Sequence, residues 1–124
     1  MAKRILVVDD DRDLCELLRI LLSEAGFTVE TAECAEVAIA KVEGVERFDL
    51  VITDQSMPPG MTGLEMVIVL RQRALCPPVI MVTAEHEQPK SIGITVLHKP
   101  VDIKLILTAI DRKLREPHTV ASQL

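Results

Sequence analysis

Short apolar runs alternate with helix-forming segments along this chain, and this alternation constrains the fold more than any other feature. Apolar runs occupy residues 5–8, 50–52, 79–82 and 94–97, and residues 27–31 form a shorter alternating run. Runs of this length and composition are typical of strands buried on both faces of a sheet. Strands separated by helices predict a parallel sheet with helices on both of its faces.

The helical segments are identified by apolar residues spaced three and four positions apart. Asp11 is placed to cap the start of the first helix, and Gly26 is suited to its end. The other helical segments lie at residues 35–45, 64–76 and 103–114. The same spacing is weaker in the middle of the chain. Residues 84–93 contain Pro89 and show no helical period, so we expect a polar loop there.

The length of 124 residues suits one domain with one core. We predict that this domain covers residues 1–116. Residues 117–124 begin with Pro117 and have little apolar pattern, which predicts a tail or the start of a linker.

Composition excludes several classes of function. Hydrophobic residues make up 48% of the chain, too many for a disordered protein, and aromatic residues make up only 2%, so the core must be aliphatic. The scarcity of aromatic rings and the net charge of -5 argue against binding to nucleic acid or to an anionic membrane. Since no apolar run has the length of a membrane span and the N-terminus lacks a signal peptide, we expect a cytoplasmic protein.

The three cysteines show no metal-ligand spacing and are odd in number. We expect Cys15, Cys34 and Cys76 to be buried small side chains in a reducing compartment.

Polar side chains directly follow four of the predicted strands. Asp9 and Asp10 follow the first, Asp54 the central strand, and Lys99 the last, while Thr83 closes the fourth. Because parallel strands point their carboxyl ends at the same edge of a sheet, these side chains should meet there.

Such a cluster suits phosphoryl transfer. Three converging carboxylates repel one another and need a cation, and oxygen ligands favour Mg²⁺ over zinc. Lys99 can pair with a phosphate and Thr83 can donate a hydrogen bond to it. The chain has neither GxxxxGK[ST] nor GxGxxG, so a nucleotide site is not expected. The acceptor would be a carboxylate, because aspartate can form an acyl phosphate.

Over residues 3–115 the chain resembles the receiver domain of two-component response regulators. The motifs that carry the resemblance are Ile5-Leu6-Val7-Val8-Asp9-Asp10, Asp54-x-x-Met57-Pro58 with Gly63 beyond it, Met81-Val82-Thr83-Ala84 and Leu97-x-Lys99-Pro100. The resemblance implies a doubly wound, flavodoxin-like α/β fold with five parallel strands in the order 2-1-3-4-5. It also implies a cis Lys99-Pro100 bond.

The resemblance further implies a signalling switch that takes a phosphoryl group on Asp54 from a sensor histidine kinase or a phosphotransfer protein. Magnesium would be held by Asp10, Asp54 and the Ser56 carbonyl, with Asp9 acting largely through water. Thr83 and Lys99 would hold the phosphoryl oxygens. Such a domain is not an enzyme in the usual sense, but it has weak self-phosphorylating and self-dephosphorylating activity, and it changes its affinity for a downstream effector.

Three departures from the family pattern affect how the signal would be read out. Val96 replaces the aromatic residue that usually stands three positions before the lysine. The loop over residues 57–63 carries one extra residue, and Pro59 stiffens it. The span from Thr83 to Lys99 is short, so we expect the fourth helix of the family to be shortened or absent. This leaves dimerisation open and directs the readout through residues 84–93 and the last helix.

Two other functions compete with this one. The first is an aspartyl-phosphate-forming hydrolase of the haloacid-dehalogenase type, which needs an acid two residues after the nucleophile, where this chain has Ser56. The second is a degenerate receiver that acts as a docking scaffold, against which the full set of acids, hydroxyl and lysine argues. Among the remaining polar residues, Asp11 is interpreted as a helix cap and His98 as pointing away from the site.

Overall fold

The computed structural model describes residues 2–85 and 93–116. Within these ranges the chain forms five strands and four helices. The strands are β1 (Arg4–Val8), β2 (Thr28–Ala32), β3 (Leu50–Thr53), β4 (Val79–Thr83) and β5 (Ile94–His98), and the helices are α1 (Arg12–Glu24), α2 (Ala35–Val42), α3 (Gly63–Gln72) and α4 (Ile103–Arg115).

All five strands are parallel, and their order across the sheet is β2-β1-β3-β4-β5. This confirms the predicted fold class. The central strands β1, β3 and β4 are buried on both faces, as continuous apolar runs require.

The sheet separates two aliphatic cores. Leu6 and Val51 point to one face, where they pack under α2 and α3. Ile5, Leu50 and Ile52 point to the other, where they pack under α1 and α4. Because neighbouring residues of a strand face opposite ways, both cores draw on the same short runs, and both need apolar residues at every position.

Local capping fixes where the helices begin and end. The Asp11 side chain accepts hydrogen bonds from the backbone of Asp13 and Leu14 at the start of α1, which confirms the predicted cap. Beyond the end of α1, Gly26 adopts a φ of 100°, a conformation that glycine adopts without steric penalty. At α3, Thr62 and Glu65 form a reciprocal capping box.

Several predicted boundaries shift by a few residues. Helix α2 ends at Val42 rather than at 45, and β2 runs from Thr28 to Ala32 rather than over residues 27–31. Of the predicted polar loop at 84–93, only residues 84, 85 and 93 are described, and none of the three is helical. The remainder of that loop and the predicted tail at 117–124 lie outside the described residues.

The cysteines follow the prediction only in part. Cys15 and Cys76 are buried, but Cys34 is only half-buried because it occupies the N-cap position of α2, at the edge of the core. None of the three forms a disulfide bond within the described part of the chain. Of the four methionines that we expect to be packing residues, Met57, Met66 and Met81 are buried and Met61 is half-buried.

Among the described residues, no helix combines the length and the apolar character that crossing a membrane requires.

Candidate functional site

The carboxyl edge of the sheet gathers the predicted site residues, because the backbone ladder continues past the ends of the strands. The amide of Asp54 donates to the carbonyl of Val8 at 2.9 Å, and the amide of Lys99 donates to the carbonyl of Thr83 at 2.9 Å. The acid that follows β3 is thereby registered against β1, and the lysine that follows β5 against β4. Sheet pairing therefore fixes where these side chains start.

Lys99 links the two buried acids. Its Nζ atom lies 2.9 Å from Oδ2 of Asp9 and 3.1 Å from Oδ2 of Asp54. Asp9 and Asp54 are only 4% and 7% exposed, so the ammonium compensates carboxylates that water cannot solvate well. Three groups that are far apart in the sequence thus form one charged cluster.

Asp10 completes a group of three acids. One carboxylate oxygen from each of Asp9, Asp10 and Asp54 lies within 4.8 Å of the others. Asp10 is exposed, whereas the other two acids are buried, so the group opens to solvent on the Asp10 side.

Burial and the neighbouring hydrogen-bond partners have opposite effects on the pKa values of Asp9 and Lys99. Burial raises the pKa of Asp9 above its usual range, although hydrogen bonds from the Asp11 amide and from Lys99 work to lower it. Burial also works to lower the pKa of Lys99, but its hydrogen bonds to Asp9 and Asp54 outweigh that effect and raise this pKa. The lysine therefore stays charged between the two acids.

The donor set fits a magnesium ion. Its three acids offer only oxygen ligands, which Mg²⁺ prefers, and the exposed side leaves room for the water molecules that Mg²⁺ retains. Ser56 is exposed in the loop after Asp54, on the same edge of the sheet. Of the residues expected from the sequence, Asp9, Asp10 and Asp54 are thus brought together by the fold.

Thr83 lies at the same edge but faces the segment after β4. It is fully buried, and its hydroxyl oxygen accepts a hydrogen bond from the amide of Glu85 at 3.2 Å. Its carbonyl binds the backbone of Lys99, so the two predicted phosphate-binding residues are neighbours. His98 is exposed, in agreement with the expectation that it points away from the acids.

Two residues that the sequence did not single out shape the surroundings of Asp54. The amide of Gln55 donates to Oδ1 of Asp54 at 2.7 Å, and the side-chain oxygen of Gln55 accepts from the amide of Leu64 at 2.8 Å. Glu36, in the first turn of α2, accepts a hydrogen bond from the amide of Met61. The position of Gln55 next to Asp54 was a usable signal, but nothing in the sequence connects Glu36 to a loop 25 residues away.

Gly63 lies directly against the backbone of Asp54. A Cβ atom at this position would lie 2.2 Å from the carbonyl oxygen of Asp54, closer than any side chain can approach. The amide of Gly63 donates to the carbonyl of Gln55, which closes the loop between β3 and α3. The cis Lys99-Pro100 bond implied by the resemblance is present, and a second cis bond joins Pro58 to Pro59 in this loop.

Comparison with protein families gives one match that covers most of the chain. The family model of the response regulator receiver domain matches residues 5–111.

Curated relatives are longer than this chain. The alkaline phosphatase synthesis transcriptional regulatory protein PhoP of Bacillus subtilis is 40% identical over 88 residues, which cover 71% of this chain and 36% of PhoP. The transcriptional regulatory protein GlrR of Escherichia coli is 34% identical over 118 residues, or 90% of this chain and 26% of GlrR. The match to this chain therefore spans about a quarter to a third of the length of these relatives.

Two solved structures are similar to this chain along almost their whole length. The chemotaxis protein CheY4 of Vibrio cholerae has a TM-score of 0.80 and 33% identity, covering 90% of this chain and 98% of CheY4. The response regulator TrrA of Thermotoga maritima, solved in complex with Mg²⁺-BeF, has a TM-score of 0.78 and 31% identity, with coverage of 90% and 98%.

Proposed function

Since the chain belongs to the response regulator receiver domain family, we propose that it is a signalling switch that accepts a phosphoryl group on Asp54. The observation that carries this proposal is the placement of Asp54: it is 7% exposed, it lies 3.1 Å from the Lys99 ammonium, and it shares a 4.8 Å cluster with Asp9 and Asp10. A carboxylate held this way can act as a nucleophile while positive charge surrounds the group that it attacks.

Each residue of the cluster has a role in the proposed transfer. Asp9, Asp10 and Asp54, with the Ser56 carbonyl, would hold Mg²⁺, which supplies charge neutralisation for the phosphoryl oxygens when bound. An Asp54 oxygen attacks phosphorus in line, the bond from phosphorus to the donor histidine nitrogen breaks, and the imidazole keeps the electron pair and takes up a proton. Lys99 and the Thr83 hydroxyl would bind the phosphoryl oxygens. Water later cleaves the acyl phosphate and resets the switch.

The donor that fits this chemistry is a phosphohistidine on a sensor histidine kinase or a phosphotransfer protein, and a cytoplasmic location fits such a donor. The receiver domain would occupy residues 1–116, with residues 117–124 as a tail or linker. Because Val96 in β5 is only half-buried and carries no ring, we propose that the phosphorylated state is read out through residues 84–93 and α4.

Mass spectrometry after incubation with phosphoramidate and Mg²⁺ tests the proposal. We expect one phosphate on the wild-type chain, none on Asp54→Asn, and none when Mg²⁺ is removed by a chelator. A wild-type mass that stays unchanged, or an Asp54→Asn variant that is modified equally well, would contradict the assignment of Asp54 as the acceptor.

A further inference from the structure

We propose that Glu36 is a positioning residue for the phosphoryl transfer on Asp54: it holds the loop between β3 and α3 clear of the acceptor. This inference rests on the proposed function. Glu36 lies in the first turn of α2, and the loop that it binds, residues 55–62, begins directly after Asp54.

Two independent contacts place the Glu36 carboxylate against the tip of this loop. Its Oε1 atom accepts a hydrogen bond from the Met61 amide at 3.2 Å. Both carboxylate oxygens also lie close beneath Gly60, because a Cβ atom built there would be 2.9 Å from each of them. The tip is therefore bound through a backbone amide, and a glycine provides the space that the carboxylate fills.

The base of the same loop is held separately. The amide of Gly63 donates to the carbonyl of Gln55 at 3.0 Å, and the amide of Leu64 donates to the Gln55 side chain at 2.8 Å. Gln55 in turn binds Oδ1 of Asp54. Since these contacts do not involve Glu36, we expect the Asp54 carboxylate to keep its position when the tip moves.

The order of the strands shows to which side the hydrogen bond between Glu36 and the Met61 amide holds the loop. Strand β2, which leads into α2, forms one edge of the sheet, and β5, which leads into Lys99, forms the other. The hydrogen bond to Glu36 therefore draws the exposed tip, residues 58–60, towards α2 and away from the side of the site where Lys99 lies. Without it, the tip is free to lean over the acids and obstruct an incoming donor.

The Glu36–Met61 hydrogen bond would control how easily the donor reaches Asp54 and would leave the Asp54 carboxylate unchanged. Its loss should therefore affect binding of the donor more than the chemical step. We expect Glu36→Ala to raise the KM for phosphoramidate about three- to ten-fold, the size of effect that the loss of one hydrogen bond produces. The maximal rate of Asp54 phosphorylation should stay within a factor of about two. Initial rates over a range of phosphoramidate concentrations, with saturating Mg²⁺, give both values.

Two matched variants separate the hydrogen bond from the charge. Glu36→Gln removes the charge but keeps an oxygen that can accept from Met61, so its KM should match the wild type. Glu33→Ala removes the same charge from a neighbouring exposed residue that pairs with Arg12, and it should also leave KM unchanged. A KM for phosphoramidate that rises as much in Glu36→Gln or in Glu33→Ala as in Glu36→Ala would contradict the role of the Glu36–Met61 hydrogen bond.

The outcome also distinguishes this inference from the proposed function. A wild-type chain that takes up no phosphate would overturn the proposed function itself. A wild type that is phosphorylated with the same KM as Glu36→Ala would overturn only the role of Glu36. Hydrogen exchange of the Met61 amide provides a direct check, because exchange should be faster in Glu36→Ala than in the wild type, and equal rates would refute the contact.

Discussion

Asp54 is held from three directions by residues at positions 55, 63 and 99 of the sequence. Lys99 contacts one carboxylate oxygen, the Gln55 amide contacts the other, and Gly63 lies against the carbonyl. The first two contacts orient the carboxylate, and the third lets α3 begin close to the strand end. The position of this one side chain therefore depends on a glycine as well as on Lys99 and the Gln55 amide.

Replacing Gly63 by alanine should disturb both stability and phosphorylation. The new methyl group would overlap the Asp54 carbonyl, and the backbone of a strand end cannot give way cheaply, so we expect a loss of about 1–3 kcal/mol in the free energy of unfolding. Urea unfolding measures it. Gly60→Ala is the control, since its methyl group would meet only the end of the flexible Glu36 side chain and should change stability by less than about 1 kcal/mol. Equal stability of Gly63→Ala and the wild type would contradict the close contact.

The buried thiols should make stability fall in alkaline solution. Burial raises the pKa of both Cys15 and Cys76 to about 11, from 9.0 for a free thiol. The unfolded chain therefore loses these protons first, so stability is fully present below pH 9 and declines as the pH rises from 9 towards 11. Urea unfolding at pH 7 to 10.5 should show this decline, and it should be smaller in Cys76→Ala. An identical pH dependence in the two proteins would argue against burial of this thiol.

At the scale of elements, caps determine where the helices start relative to the site. Asp11 begins α1 two residues after the buried Asp9, and Thr62 begins α3 at the far end of the loop that follows Asp54. Both caps satisfy backbone amides that the helix cannot pair itself. The segments that lead from β1 into α1 and from β3 into α3 are therefore fixed where each helix begins.

Removal of the α1 cap should destabilise the protein without changing the acid cluster directly. We expect Asp11→Ala to lower the free energy of unfolding by about 1 kcal/mol, because two amides of the first turn lose their acceptor. Asp11→Asn keeps a capping oxygen and should stay close to the wild type. Chemical denaturation compares the three proteins. If both variants lost the same stability, the charge rather than the cap would be responsible.

At the scale of the whole molecule, the carboxyl edge combines crowded negative charge with the ammonium group of Lys99. Among the described residues, Lys99 bridges Asp9 and Asp54, while Asp10 stays exposed beside them. Five parallel strands make this concentration of charge possible, because their ends all reach the same edge. Ligands that relieve the repulsion should therefore stabilise the folded state as a whole.

Magnesium should raise the thermal midpoint of unfolding, because an ion that binds only the folded protein shifts the equilibrium towards it. At about ten times its dissociation constant the gain is on the order of 1.4 kcal/mol. Asp10→Ala removes the exposed acid and should abolish most of this gain, while its midpoint without metal should be equal to or above that of the wild type, because the repulsion among the acids is also reduced. A gain of the same size in Asp10→Ala would exclude this acid as a ligand.

The sequence alone determined the fold class, the strand order that the resemblance implied, and the identity of the clustered acids. This was possible because buried parallel strands need continuous apolar runs, and because Asp9, Asp54 and Lys99 each stand directly after such a run. The cap at Asp11 was also predictable from the sequence, since a capping residue acts within three residues of its own position.

Only the tertiary structure decided which side chains touch. The bond between Lys99 and Asp9 joins residues 90 positions apart, and the bond between Glu36 and the Met61 amide joins different elements on the same edge. The boundaries of α2 and the half-buried Cys34 likewise depended on packing rather than on local pattern. The physical reason is range: periodicity and capping act over a few residues, whereas burial, long-range contacts and the shifted pKa values of Asp9 and Lys99 arise only when folding brings distant residues together.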